Sequence, residues 1–146
     1  MPSLLPTQNE PIIDLKTGLV TRVWYNFFVA LFKEVLMPSI TVVLFEAKAA
    51  ENSQTTQYTS TNVVTIIDKF TAHNYSAGAV TLAVNLVPSG GAAATSNRVV
   101  NYTLAANETY NFPELVGHDL KAGDFISTLA SAATSVSIRA SGRQIT

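Results

Sequence analysis

The sequence predicts a mainly β protein, a jelly-roll-like antiparallel β-sandwich preceded by an extended arm and one amphipathic α-helix. From residue 39 onward, β-branched and other apolar residues alternate with polar ones or form short runs. Gly, Pro and Asn turns interrupt these runs roughly every ten residues, which is typical of a sandwich. Between Val20 and Leu36, apolar residues recur every three or four positions instead. We therefore expect two domains, residues 1–38 with the arm and helix and residues 39–146 with the sandwich.

The arm comprises residues 1–19, which carry three prolines and no apolar periodicity. Proline favours extended, polyproline-like backbone, so this stretch is predicted to be extended. It also contains large aliphatic residues that would fit a groove on another surface: Leu4, Leu5, Ile12, Ile13 and Leu15. A disordered tail is the alternative interpretation. Asp14 with Thr17 and Gly18 predicts a turn just before the helix.

The helix is predicted from Val20 to Leu36. Thr21 is a suitable N-cap, and Pro38 prevents continuation. Apolar residues at helical spacing form one broad stripe: Val20, Val23, Trp24, Phe27, Phe28, Leu31, Phe32, Val35 and Leu36. Leaving them in water would cost on the order of 15 to 25 kcal/mol, so something must cover the stripe.

Two interpretations of what covers the apolar stripe remain open. The helix packs on the β domain of its own chain, or copies of it pack on each other or on a neighbouring protein. The second interpretation is favoured because the downstream strands are numerous enough to close a sandwich by themselves. The residues predicted to form an oligomer or partner interface are Ile12, Ile13, Val20, Trp24, Phe27, Phe28, Leu31 and Val35.

Eight strands are predicted from the alternation: Ile40–Phe45, Thr55–Thr59, Val63–His73, Ala79–Val87, Asn97–Leu104, Glu108–Phe112, Phe125–Ala130 and Ser135–Ile145. Asn74 to Gly78 is predicted to be a hairpin turn between two of them. Pro113 to Gly117 is predicted to form one helical turn. Gly123 is expected to supply a positive φ angle, with Asp124 accepting backbone N–H bonds.

Composition limits the classes of function. Only 13% of the 146 residues are charged while 47% are hydrophobic, and the mean hydropathy is +0.24. Such a surface predicts a protein largely covered within an assembly. The net charge of −1, with nine Lys and Arg residues that form no stripe, argues against a nucleic-acid partner.

Thiol chemistry, secretion through a signal peptide and membrane insertion are also excluded or disfavoured. The absence of cysteine excludes disulfides and thiol chemistry. The first ten residues lack the basic and apolar regions of a secretory signal. Charges interrupt every apolar segment well short of the roughly 20 residues that a membrane span needs. We therefore expect synthesis in the cytoplasm and no membrane partner.

No residue pattern predicts catalysis, a metal site or a cofactor. His73 and His118 are the only histidines, and neither belongs to a metal-ligand motif. The acidic residues Glu114, Asp119 and Asp124 are interpreted as loop and turn residues. Four tyrosines are candidate receptor or glycan contacts, with half-buried packing as the alternative: Tyr58, Tyr75, Tyr102 and Tyr110.

Two sets of residues resemble a known class of protein. The stretch PIIDLKTGLVTRVWYNFF, residues 11–28, is similar to the anchoring amino termini of tailed-bacteriophage fibre and adaptor proteins. Four later stretches resemble a small phage-encoded β-sandwich domain of virion proteins: IIDKFTAHN (66–74), VNLVPSGG (84–91), PELVGHDLKAGDFIS (113–127) and VSIRASGRQIT (136–146). These stretches are distributed between residues 11 and 146.

The resemblance implies a non-enzymatic structural protein of the virion, commonly trimeric, made in the host cytoplasm. Its amino-terminal part would dock to other virion proteins at the capsid, neck or tail. The anchoring role then falls on Ile12, Ile13, Trp24, Phe27, Phe28 and Leu31. Because a fibre normally continues into a long shaft, a short adaptor, collar, fibre-base or head-decoration subunit is expected. A receptor- or glycan-binding module at a virion tip is the alternative.

Overall fold

The computed structural model describes residues 11–35 and 39–145, with the side chains of residues 11–30 and 39–145. The chain separates into two compact units, Met1–Pro38 and Ser39–Thr146. The first unit contains the helix α1 (Arg22–Val35). The strands of the second unit are β1 (Ser39–Ala49), β2 (Thr55–Thr59), β3 (Val64–Asn74), β4 (Val80–Val87), β5 (Arg98–Leu104), β6 (Thr109–Asn111), β7 (Asp119–Leu120), β8 (Phe125–Ala130) and β9 (Val136–Ile145).

These strands form two antiparallel sheets. One has the order β1-β9-β3-β6, with β7 also paired to β3, and the other has the order β2-β8-β4-β5. The pairing is nested, since β4 pairs with β5, β3 with β6 and β7, β2 with β8, and β1 with β9. A long hairpin rolled across itself produces this order, which is that of a jelly roll. The prediction of a mainly β chain with a jelly-roll-like antiparallel sandwich is confirmed.

The hydrophobic core of the second unit draws side chains from both sheets. Phe70 of β3 is fully buried and makes edge-to-face contacts with Phe45 and Phe112, with ring centroids 5.6 Å apart in each pair. Leu82 of β4 and Ile126 of β8 contribute fully buried side chains from the other sheet. Each such side chain contributes roughly 1.5 to 3 kcal/mol by leaving water, which makes this core the main source of the unit's stability.

The predicted hairpin turn at Asn74–Gly78 is wrong. It joins β3 to β4, which lie in different sheets, so this segment is a corner of the sandwich. The buried Asn74 side chain holds the corner by donating from Nδ2 to the carbonyl oxygens of Gly78, Leu104 and Ala105, at 2.8, 3.1 and 2.9 Å. The corner therefore depends on contacts with a segment some thirty residues further along the chain.

Other local predictions agree with the structure, with two exceptions. Pro113–Leu115 forms a single 3-10 turn, Gly123 has a φ of 91°, and Asp124 accepts the Lys121 N–H at 2.9 Å. The exceptions are β1, which continues four residues beyond the predicted end, and β7, which the sequence did not indicate. β7 has only two residues, too few for any alternation of apolar and polar side chains to appear.

The amino-terminal unit corrects the predicted extended arm. Thr21 donates its N–H to the Ile12 carbonyl and its hydroxyl to the Pro11 carbonyl, both at 2.9 Å. Between them, the Asp14 N–H donates to the Leu19 carbonyl at 2.9 Å, and Gly18 takes a φ of 69°. Residues 11–21 therefore fold back on themselves, because the predicted turn closes a loop. Residues 1–10 of the predicted arm lie outside the described residues.

The helix α1 begins within two residues of the predicted start and is described as far as Val35. Its first backbone hydrogen bond runs from the Tyr25 N–H to the Thr21 carbonyl at 2.9 Å, which places Thr21 at the predicted N-cap position. The predicted end at Leu36 lies outside the described residues. Among the helices that the structure describes, none has the length and apolar content required to cross a membrane.

Candidate interaction surface

The amino-terminal unit exposes a concentration of large apolar side chains, which we call the amino-terminal apolar surface. Its members are Ile12 (50% exposed), Ile13 (49%), Leu15 (97%), Leu19 (68%), Val20 (48%), Val23 (45%), Tyr25 (60%), Phe28 (36%) and Val29 (36%). All nine fall within an eighteen-residue stretch of the sequence. An apolar surface of this density is characteristic of a contact site.

The sandwich differs clearly from this unit. Five large apolar side chains are exposed across residues 39–145: Ile40, Val43, Tyr75, Val99 and Val116. They are distributed over β1, β5, the β3–β4 corner and a loop, whereas apolar side chains between the sheets are buried. The second unit therefore buries most of its own large apolar side chains. Among the described residues, the exposed ones are concentrated in the first unit.

Three aromatic rings of α1 form a cluster within the amino-terminal unit. The ring centroids of Trp24, Phe27 and Phe28 lie 5.6 to 5.7 Å from one another. Trp24 and Phe27 are half-buried, and Phe28 lies at the exposed margin of the cluster. Spacings of three and four residues bring these rings to one side of the helix, as predicted. The cluster stiffens one face of the helix before any partner binds.

The loop before the helix holds two leucines in exposed positions. Leu15 lies within, and Leu19 directly follows, a turn closed by the hydrogen bond from the Gly18 N–H to the Asp14 carbonyl, at 2.7 Å. The Asp14 carboxylate also accepts the Lys16 N–H at 2.8 Å. Because the backbone is held in this way, binding a partner through the leucines would cost little additional ordering entropy.

The described side chains include those of six of the eight predicted interface residues, and they lie in two groups. Ile13 and Val20 form an antiparallel bridge at the base of the loop, next to Ile12. Trp24, Phe27 and Phe28 form the aromatic cluster described above. The side chains of Leu31 and Val35 lie outside the described residues. Leu19 and Tyr25 were not among the predicted interface residues, although their apolar character was the available signal.

The four candidate receptor tyrosines lie in three separate places. Tyr102 and Tyr110 stack on each other with centroids 4.4 Å apart. The Tyr58 hydroxyl instead contacts Thr65 Oγ1 at 2.9 Å and accepts from Gln144 Nε2 at 3.0 Å. Tyr75 is 45% exposed at the β3–β4 corner. Three of the four tyrosines therefore make contacts within the chain, and the set forms no common surface.

Two of the three acidic residues considered for chemistry, Asp124 and Glu114, have structural partners. Asp124 accepts the Ser89 and Lys121 N–H groups, each at 2.9 Å. Glu114 accepts from the Tyr110 hydroxyl at 3.4 Å. Within the described parts of the chain, no group of three or more His, Cys, Asp or Glu residues is arranged to hold a metal ion.

A shallow depression on the outer face of the β1-β9-β3 sheet was not anticipated. It encloses about 270 Å³ and is lined by residues from these three strands, including Lys69, His73 and Arg139. The lining residues are about ninety positions apart in sequence, and β9 joins β1 to β3 only in the folded sheet. Only the strand order brings them together, so no local pattern in the sequence indicated this depression.

No protein-family profile and no curated protein sequence matches the chain. A Bacillus endospore appendage, described within a family of disulfide-linked pili, is 16% identical with a TM-score of 0.43, over 75% of this chain and 87% of that one. A structure of infectious bursal disease virus, Gt strain, is 10% identical with a TM-score of 0.37, over 73% of this chain and 32% of that one. The chain thus spans about a third of the viral protein. Similarity at this level carries no inference about function, and this chain has no cysteine with which to form a disulfide.

Proposed function

We propose that this chain is a non-enzymatic structural subunit that assembles through its amino-terminal unit into a homo-oligomer, with a trimer favoured. The main support for the proposal is the amino-terminal apolar surface, in which Leu15 is 97% and Leu19 68% exposed. Burying one such side chain contributes roughly 1.5 to 3 kcal/mol, so joining several from each chain provides a substantial driving force.

Copies of the same helix are the occupants that best fit this surface. Trp24, Phe28, Leu31 and Val35 repeat at alternating spacings of four and three, which is the pattern of a helical seam between copies. The seam has about two heptads, which is too short to associate alone, so the loop leucines must add to the contact. The sandwich then forms the body of each subunit.

The resemblance of residues 11–28 to phage anchoring segments leads us to propose a biological setting. The assembly would be an adaptor, collar, fibre-base or head-decoration element of a tailed-phage virion. It would contact other virion proteins at the capsid, neck or tail. The low proportion of charged residues, 13%, suits a protein covered on several sides.

A paired substitution in the full chain tests the proposal. Phe28→Asp places a charge on the proposed seam, whereas Asn26→Asp places the same charge at an exposed position of the same helix. Sedimentation velocity of both variants and of the unchanged chain reports the assembly state, and circular dichroism checks that the sandwich is folded. We expect Phe28→Asp to sediment as a monomer and Asn26→Asp as the oligomer. Identical sedimentation of all three proteins would contradict the proposal.

A further inference from the structure

The depression on the outer face of the β1-β9-β3 sheet has the features of a small-ligand site. Its walls and floor include Ala47, Lys69, His73, Ser137, Arg139 and Ser141. We call it the outer-face depression. All of these residues belong to the sandwich, and none belongs to the amino-terminal apolar surface.

The depression exists because small side chains occupy the middle strand. Ser137 and Ser141 lie on β9, with Arg139 between them on the same face. Across β3, Ser137 is paired with His73 and Ser141 with Lys69. The two serines are thus flanked by longer basic and aromatic side chains, which leaves space above the serine hydroxyls.

Several polar groups of the depression have no partner within the described residues. The Lys69 ammonium group makes no ion pair there, and the hydroxyls of Ser137 and Ser141 make no side-chain hydrogen bonds. His73 contacts Thr109 Oγ1 through Nδ1 at 2.8 Å, which leaves Nε2 available. These groups are accessible to solvent and line one concave site, so they are available to contact a ligand.

The charge on this face favours an anion. Arg139 Nε lies 3.6 Å from Glu46, and Arg143 lies 3.3 Å from Asp68, so these charges offset one another in pairs. Lys69 remains as a positive charge at the edge of the depression. Glu46 does not line the depression, and its side chain is 79% exposed. A ligand carboxylate would therefore find Lys69 unpaired and Arg139 only loosely held.

We propose that the outer-face depression binds a single acidic sugar residue. The sugar carboxylate contacts Lys69 and Arg139, and ring hydroxyls exchange hydrogen bonds with Ser137 and Ser141. A volume of about 270 Å³ lies just below the range of pockets for drug-sized ligands and suits one monosaccharide. An acidic peptide side chain could use only the two basic groups, whereas a sugar also uses the serine hydroxyls, which both donate and accept.

Nuclear magnetic resonance titration of the full chain tests this proposal. The probes are sodium glucuronate, glucose as the neutral analogue, and sodium acetate as the carboxylate alone. We expect glucuronate to cause saturable shifts of the amide signals of residues 69–73 and 137–141. Glucose and acetate should bind at least tenfold more weakly. An equal response to acetate and glucuronate would overturn the sugar assignment, and no saturable shift with any probe would overturn the site.

Matched variants separate this site from general charge effects. Lys69→Ala should weaken glucuronate binding about tenfold, because one charge-assisted hydrogen bond is lost. Lys121→Ala removes the same charge from an exposed turn and should leave binding unchanged. Ser141→Val fills the depression with a residue that favours strands and should abolish binding. Equal effects of the two lysine variants, or tighter binding of a hexaglutamate peptide than of glucuronate, would contradict the proposal.

Discussion

The rings of Tyr102 and Tyr110 stack with centroids 4.4 Å apart and planes inclined by 15°. Tyr102 lies on β5 at the edge of one sheet and Tyr110 on β6 at the edge of the other. Phe112 packs edge-on against both rings, at 5.9 and 4.9 Å. The stacked pair thus joins the two sheets along one side of the sandwich, where no backbone hydrogen bonds of the strand pairing connect them.

The environment of this pair predicts that both phenols ionise at higher pH than ordinary tyrosines. Tyr102 donates to Glu108 Oε1 at 2.9 Å, and this hydrogen bond raises the Tyr102 pKa above its ordinary value. Desolvation, followed by the charge of Glu114, raises the pKa of Tyr110. Because the folded chain holds these protons more tightly than the unfolded chain, the stabilisation is complete below about pH 10 and is lost as pH rises through the folded pKa values. Absorbance titration of tyrosinate should show a late phase, and Tyr102→Phe should reduce it. A titration unchanged by Tyr102→Phe would contradict this account.

Substitution of Asn74 should destabilise the β3–β4 corner. Asn74→Ala removes the donor that serves three backbone carbonyls and should lower the free energy of unfolding by about 2 to 4 kcal/mol. Asn74→Asp is similar in shape but places a carboxylate against these carbonyl oxygens, so it should be more destabilising than alanine. Urea unfolding measures the difference, with Asn52→Ala in an exposed turn as the control. If Asn74→Asp were as stable as the unchanged chain, the role assigned to the amide would be wrong.

Gly142 of β9 should not tolerate a side chain. A Cβ atom at this position would overlap the carbonyl oxygen of Ile66 on the neighbouring strand. Gly142→Ala should therefore destabilise the sandwich by about 3 kcal/mol or more, since the backbone must shift to make room. Gly78→Ala provides the control, because nothing lies within 4 Å of the added atom. Thermal unfolding of both variants is the measurement, and equal midpoints would contradict the prediction.

The strands were largely predictable because each carries its own alternating pattern and ends at turn residues. The assignment of strands to sheets was less predictable. Asn, Ser and Gly between β3 and β4 are the same residue types that a hairpin turn uses, and the corner is distinguished only by the contacts of Asn74 with Leu104 and Ala105. Local sequence does not contain that information.

The candidate surfaces, too, could be predicted only in part from local sequence. Helical periodicity identified the apolar residues of α1, but the closed turn at Gly18 and the high exposure of Leu19 depend on backbone hydrogen bonds that a pattern does not specify. The outer-face depression requires knowing that β9 lies between β1 and β3. Ser137 and Ser141 are unremarkable in the sequence and become neighbours of Lys69 and His73 only through pairing with β3.

Sedimentation equilibrium tests whether the amino-terminal unit assembles the protein. The measurement compares the full chain with a shortened chain that begins at Ser39, each over a range of concentrations. We predict that the full chain has three times its mass of 15.6 kDa and that the shortened chain is a folded monomer. A full chain that remains at 15.6 kDa at every concentration, or a shortened chain with the same assembly state as the full one, would contradict assembly by this unit.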